Sequence, residues 1–142
     1  MSEPTVTTHR AEVVWKGTKQ DLRAHTIRLA EQTLNCSSAP ELGGNAALAD
    51  PEELFVASLS SCHMLWFLYL AQRERHRVLA YADHPEGTMD GTRFVGVALR
   101  PRVTFETEVA PELIERLHHA AHAACFIANS VRCPVSIEPP SA

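Results

Sequence analysis

The first third of the chain alternates apolar and polar positions, then gives way to a long, nearly unbroken apolar run over residues 54–71. Residues 11–16 (AEVVWK) are β-branched and aromatic, and Gly17-Thr18-Lys19 supplies a turn. Residues 24–29 (AHTIRL) alternate strictly, with Ala24, Thr26 and Arg28 opposite His25, Ile27 and Leu29. Period-two patterning of this kind predicts a short hairpin-based sheet. Residues 37–49 (SSAPELGGNAALA) are small and contain Gly and Pro, which predicts a loop.

A helix start follows the loop. Asp50 suits the N-cap, Pro51 the first helical position, and Glu52 and Glu53 the positive end of the helix dipole. Asp50 and Glu53 also have the spacing of a capping box. The helix is predicted to run to about Glu74. It is apolar on nearly every face before Gln72, so it should be enclosed by protein. A sheet covers one face only, and the simplest cover for the rest is a second copy of the chain in an isologous dimer. The run is long enough to raise a membrane span. Its middle carries Ser58, Ser60, Ser61, Cys62 and His63, however, and no other segment exists to pair with it in a bilayer, so a buried central helix is preferred.

A second β region comes next. Residues 78–83 predict a strand, and Asp90-Gly91 predicts a hairpin between residues 86–89 and 92–98. Residues 93–108 hold one long strand or two. A second helix begins near Pro111, with Leu113, Ile114, Leu117, Ala121 and Ala124 as its apolar stripe. Residues 134–138 predict a short last strand, and Pro139-Pro140 the end of order. Strands, long helix, strands, helix and strand define an α+β fold, and 142 residues fit one domain spanning 1–142.

Composition narrows the function. With 45% apolar and 21% charged residues the chain has a globular balance, so disorder is not the default. A net charge of -4 leaves no basic footprint for nucleic acid. The opening MSEPTVTTHR lacks the basic-then-apolar layout of a secretory signal, and the expected compartment is the cytoplasm. In a reducing compartment the four cysteines Cys36, Cys62, Cys125 and Cys133 point to catalytic, redox or metal roles rather than staples.

Cys62, in the middle of the long helix, is either a small buried hydrophobe or a reactive thiol. Glu52 lies ten residues earlier on the same helix, too far for direct contact. It would act through a third group, and Arg23 is the candidate, because a guanidinium can pair with a carboxylate and still present donors to a thiolate. The plain alternative makes Glu52 a helix-start residue. Cys125 closes the second helix, and a second thiol near the first would trap a sulfenic acid as a disulfide. Cys36 and Cys133 read as packing residues. Two other functions stay open. His118, His122 and Cys125 share one helical face, and with Cys62-His63 they could form a zinc site. A non-catalytic dimer could instead hold a lipid-like ligand around Phe55, Leu65, Trp66 and Tyr69.

The segment Asp50-Pro51-Glu52-Glu53-Leu54, followed by small residues up to Ser60-Ser61-Cys62-His63-Met64, resembles the signature of the OsmC/Ohr family, the osmotically inducible and organic hydroperoxide resistance proteins. Ala121-His122-Ala123-Ala124-Cys125 is similar to that family's second-cysteine motif, and the loop Ser38-Ala39-Pro40-Glu41-Leu42-Gly43-Gly44 and Cys133-Pro134-Val135 fit as well. The resemblance implies an OsmC-like fold, two antiparallel β regions around a long buried central helix plus a second helix, in an intertwined homodimer. It implies a thiol peroxidase for organic hydroperoxides, with hydrogen peroxide a further substrate. Cys62 falls on the peroxidatic position, Cys125 on the resolving one, Glu52 on the carboxylate that holds an arginine, and Arg23 on that arginine. The implied partners are the second protomer, the peroxide and a dithiol reductant of lipoyl or small-thiol type, with no cofactor, metal, nucleic acid or membrane. His63-Met64 points to the OsmC-like branch.

Overall fold

In a computed structural model describing residues 5–138, the alternating segments of the first third form strands β1 (Glu12–Val14) and β2 (His25–Leu29). They pair antiparallel, with Val13 opposite Ile27. A further strand, β3 (Gln32–Cys36), pairs with β2 and completes a sheet of order β1-β2-β3. Nothing in the sequence pattern marks its hairpin. The turn is Ala30-Glu31, and Ala30 takes a φ of 54°, a conformation that usually selects Gly, Asn or Asp. The following segment is the expected loop, with one short 3-10 turn at Pro40–Leu42. A Cβ on Gly44 would lie 1.7 Å from the Ser38 carbonyl oxygen, so the loop closes only around glycine.

Helix α1 (Pro51–Arg73) begins and ends within a residue of expectation. Its start is a reciprocal capping box: the Glu53 N–H donates to the Asp50 carboxylate at 2.7 Å, and the Asp50 N–H donates to the Glu53 carboxylate at 3.0 Å. The chain clusters into two compact units, residues 1–53 and 54–142, and the boundary falls in the first turn of α1. Among the described residues α1 is the one helix long and apolar enough to cross a membrane by length and composition. Here it serves as a core helix. Leu59, His63, Phe67 and Ala71, each four residues from the next, are its buried stripe. The other faces are less enclosed than the pattern suggests: Leu65 is 59% and Tyr69 41% exposed.

The second unit continues with β4 (Val78–Ala82), β5 (Glu86–Asp90), β6 (Arg93–Leu99) and β7 (Arg102–Phe105), then α2 (Pro111–Ala124) and β8 (Val135–Ile137). The predicted hairpin joins β5 to β6, with Gly91 at a φ of 66°. Residues 93–108 hold two strands, interrupted at Arg100-Pro101, and β7 turns away to pair with β4. β8 lies parallel to β6, which departs from a purely antiparallel arrangement. Parallel neighbours need a long connection, and α2 lies within it. Phe67, Ala71, Leu117 and Ala121 form one buried cluster with Tyr81, Val103 and Phe105 around it. Leu59, Val97 and Leu99 form another beneath β6 and β8. Pro139-Pro140 lie outside the described residues.

Candidate active site

The two helices of the second unit bring Cys62 and Cys125 together. Cys62 sits half-buried at the centre of α1, and Cys125 is the buried C-terminal cap of α2. Their side chains are neighbours, close enough for Cys62 to act on the Cys125 thiol, although the two lie 63 positions apart in sequence. Both are free thiols, as are Cys36 and Cys133.

Cys125 has a defined electrostatic setting. Burial pushes its thiol above the usual range, and the neighbouring Cys62 adds to the rise. Backbone N–H groups of Ala128 and Ile127 act in the opposite sense, the Ala128 N–H donating to Sγ at 3.4 Å. The balance favours the protonated thiol of Cys125. The chain turns sharply just after it, and Phe126 emerges 58% exposed with its ring edge-on to Trp66 at 5.4 Å.

His63 and His118 stand together in the sequence only as ligands of a possible zinc site; the structure joins the two rings directly. His63, 1% exposed, meets His118 of α2, with Nε2 and Nδ1 3.0 Å apart. Their rings are 11° from parallel with centroids 5.2 Å apart, the geometry of an edge-to-edge N–H···N bond in a shared plane. Burial, above all, lowers both imidazoles to about 4. For His63 the His118 and His122 charges add to that, while for His118 the Asp83 carboxylate opposes it. The hint was in the sequence: a histidine within an apolar run must find a polar partner. Spacing along α2 suggested a metal face instead. Among the described residues no group of three or more His, Cys, Asp or Glu side chains is arranged to hold a metal ion.

Arg23 and Glu52 belong to the first unit. The Arg23 Nε–H donates to the Leu42 carbonyl at 2.8 Å, and its guanidinium lies over Gly43, where φ is 87°. Among the described residues no ion pair joins Arg23 to Glu52, which is half-buried at the start of α1. Cys36 is fully buried, its S–H directed at the Leu34 carbonyl 3.7 Å away. Cys133 is half-buried against the Leu59–Val97–Leu99 cluster.

A family model described as OsmC-like protein matches residues 43–139. No curated protein matches the sequence. Among solved structures, an OsmC-like protein of unknown function from Vibrio cholerae is 36% identical, with a TM-score of 0.85 over 95% of this chain and 100% of that one. An organic hydroperoxide resistance protein from Legionella pneumophila is 21% identical, with a TM-score of 0.72 over 96% of this chain and 97% of that one. Another from Elizabethkingia anophelis is 19% identical, with a TM-score of 0.73 over 96% of each chain. At those lower identities the likeness is one of fold. With the family match across most of its length and the Vibrio structure above 30% identity, the chain belongs to the family of OsmC-like proteins.

Proposed function

We propose that the protein is a thiol-dependent peroxidase that reduces organic hydroperoxides through Cys62 and Cys125. The observation that carries this reading is the proximity of the Cys62 and Cys125 side chains, brought together by α1 and α2, with burial raising the Cys125 thiol above its usual range. The thiolate form of a cysteine is the nucleophile in such a reaction. Cys62 thiolate attacks the terminal peroxide oxygen, the O–O bond breaks, and the alkoxide leaves and takes a proton to become the alcohol. Cys62 is oxidised to the sulfenic acid. Cys125, after losing its proton, attacks that sulfur and expels hydroxide, giving the Cys62–Cys125 disulfide. An external dithiol then exchanges with the disulfide, restores both thiols and leaves as its own disulfide. A reducing cytoplasm suits this cycle, and a lipoyl-type or small dithiol suits its last step. Arg23 and Glu52 are proposed to assist by orienting charge around the reacting thiolate. Fold relatives named for organic hydroperoxide resistance lend support.

We also propose a homodimer, supported by the exposed apolar side chains Leu65, Tyr69 and Phe126. The catalytic test is substitution. Cys62→Ser is expected to abolish consumption of an alkyl hydroperoxide with dithiol as donor. Cys125→Ser is expected to consume one equivalent in forming the Cys62 sulfenic acid and a second in carrying it on to sulfinic acid, read by mass spectrometry. Undiminished turnover in Cys62→Ser removes the reading.

A further inference from the structure

We infer that the hydrogen bond between His63 and His118 fixes the approach of Cys125 to Cys62, which makes these two histidines positioning residues for disulfide formation. The inference rests on the two-sulfur cycle proposed above. His63 is the next residue after Cys62 on α1, and His118 lies seven residues before Cys125 on α2, on the same helical face. One bond of 3.0 Å therefore ties the helices about 10 Å along α2 from the second sulfur, at 1.5 Å rise per residue.

The other contacts between α1 and α2 hold position less strictly. Phe67 and Ala71 against Leu117 and Ala121 are apolar, and apolar packing lets helices slide or roll by small amounts. The Arg116–Glu74 pair, 2.6 Å at its shorter contact, is exposed, and such pairs add little. The imidazole bond is buried and directional. Phe67 presses on the His118 ring with centroids 4.3 Å apart, which restricts its rotation. Sliding the helices strands a buried ring nitrogen, and an unpaired buried polar atom is expensive. His63 Nδ1 is already without a partner, so the ring has no second anchor to fall back on. Disulfide closure is demanding in return, because the bond accepts only a narrow range of dihedral and α-carbon separation.

Polar and apolar substitutes of matching shape test the tie. Asn places a polar atom where His118 Nδ1 stands, and Leu has the same outline without one. Gln and Met stand in the same relation to His63 Nε2. The readout is the rate at which the reduced protein forms the Cys62–Cys125 disulfide with diamide, a thiol oxidant that needs no peroxide chemistry. His118→Leu and His63→Met are expected to slow closure about tenfold, the equivalent of one buried hydrogen bond. His118→Asn and His63→Gln are expected to stay within about threefold of the parent. During hydroperoxide turnover the slow pair should also show more sulfinic acid at Cys62. The substitutions at 118, a half-buried position, carry the comparison if position 63 tolerates no change. Equal closure rates in the polar and apolar substitutes overturn the inference. If the parent forms the disulfide with diamide but consumes no hydroperoxide, the peroxidase reading falls while the tie is still judged by the same rates.

Discussion

His63 shows how one side chain couples burial to pH. Its imidazole titrates near 4 in the folded chain and near 6.5 when unfolded, because burial and the neighbouring His118 and His122 disfavour the cation. Above pH 6.5 neither state takes the proton and the native packing has its full stability. As the pH falls from 6.5 toward 4, the unfolded chain binds protons that the folded chain refuses, and stability declines. The interval corresponds to roughly 3 kcal/mol for His63. His118 shares the same hydrogen bond, so the two do not simply add. Urea unfolding across this range should show an acid limb that flattens in His63→Phe. A limb of equal steepness in that variant would place the effect elsewhere. At this scale the sequence was informative about residue types but not about neighbours. Cys62 and Cys125 were singled out from a family resemblance, since no spacing rule joins positions so far apart on two helices. The His63–His118 pair appeared in the sequence only as members of a possible zinc set, because the helical periodicity of α2 says which residues share a face and not what that face meets.

The elements were more legible, where local chemistry decided them. α1 announced its first residue through Asp50, Pro51 and Glu53, and the structure forms both capping hydrogen bonds. Asp50→Ala removes the side-chain acceptor for the Glu53 N–H, so a loss of about 1 kcal/mol in unfolding free energy is expected. Replacement by Ser should recover most of it, and chemical denaturation of the three proteins measures both effects. The strand β3 was missed for the converse reason: Ala30-Glu31 makes a tight turn without the residues that normally permit one. The parallel seat of β8 beside β6 was missed too. Alternation along a three-residue strand marks it as extended and carries no record of the direction of its neighbour.

At the scale of the whole molecule, the exposed face of α1 bears on assembly. An apolar helix with only one stripe buried in its own chain leaves Leu65 and Tyr69 open to water, and adjoining apolar exposure marks an interaction surface. Leu65→Arg is expected to shift the protein toward monomer in size-exclusion chromatography with light scattering, while its far-ultraviolet circular dichroism stays unchanged. An unaltered dimer would move the interface away from this face, and a parent that is already monomeric would remove it.

The order in which the chain is laid down has its own consequence. A growing polypeptide leaves the ribosome with α1 and its thiol well ahead of α2, and β6 waits for β8, the last described strand, before its parallel edge is filled. During that interval Cys62 stands without the second thiol that α2 brings to it. Under the proposed cycle, a translation product halted before α2 would meet oxidants with a lone sulfur and be driven to irreversible over-oxidation.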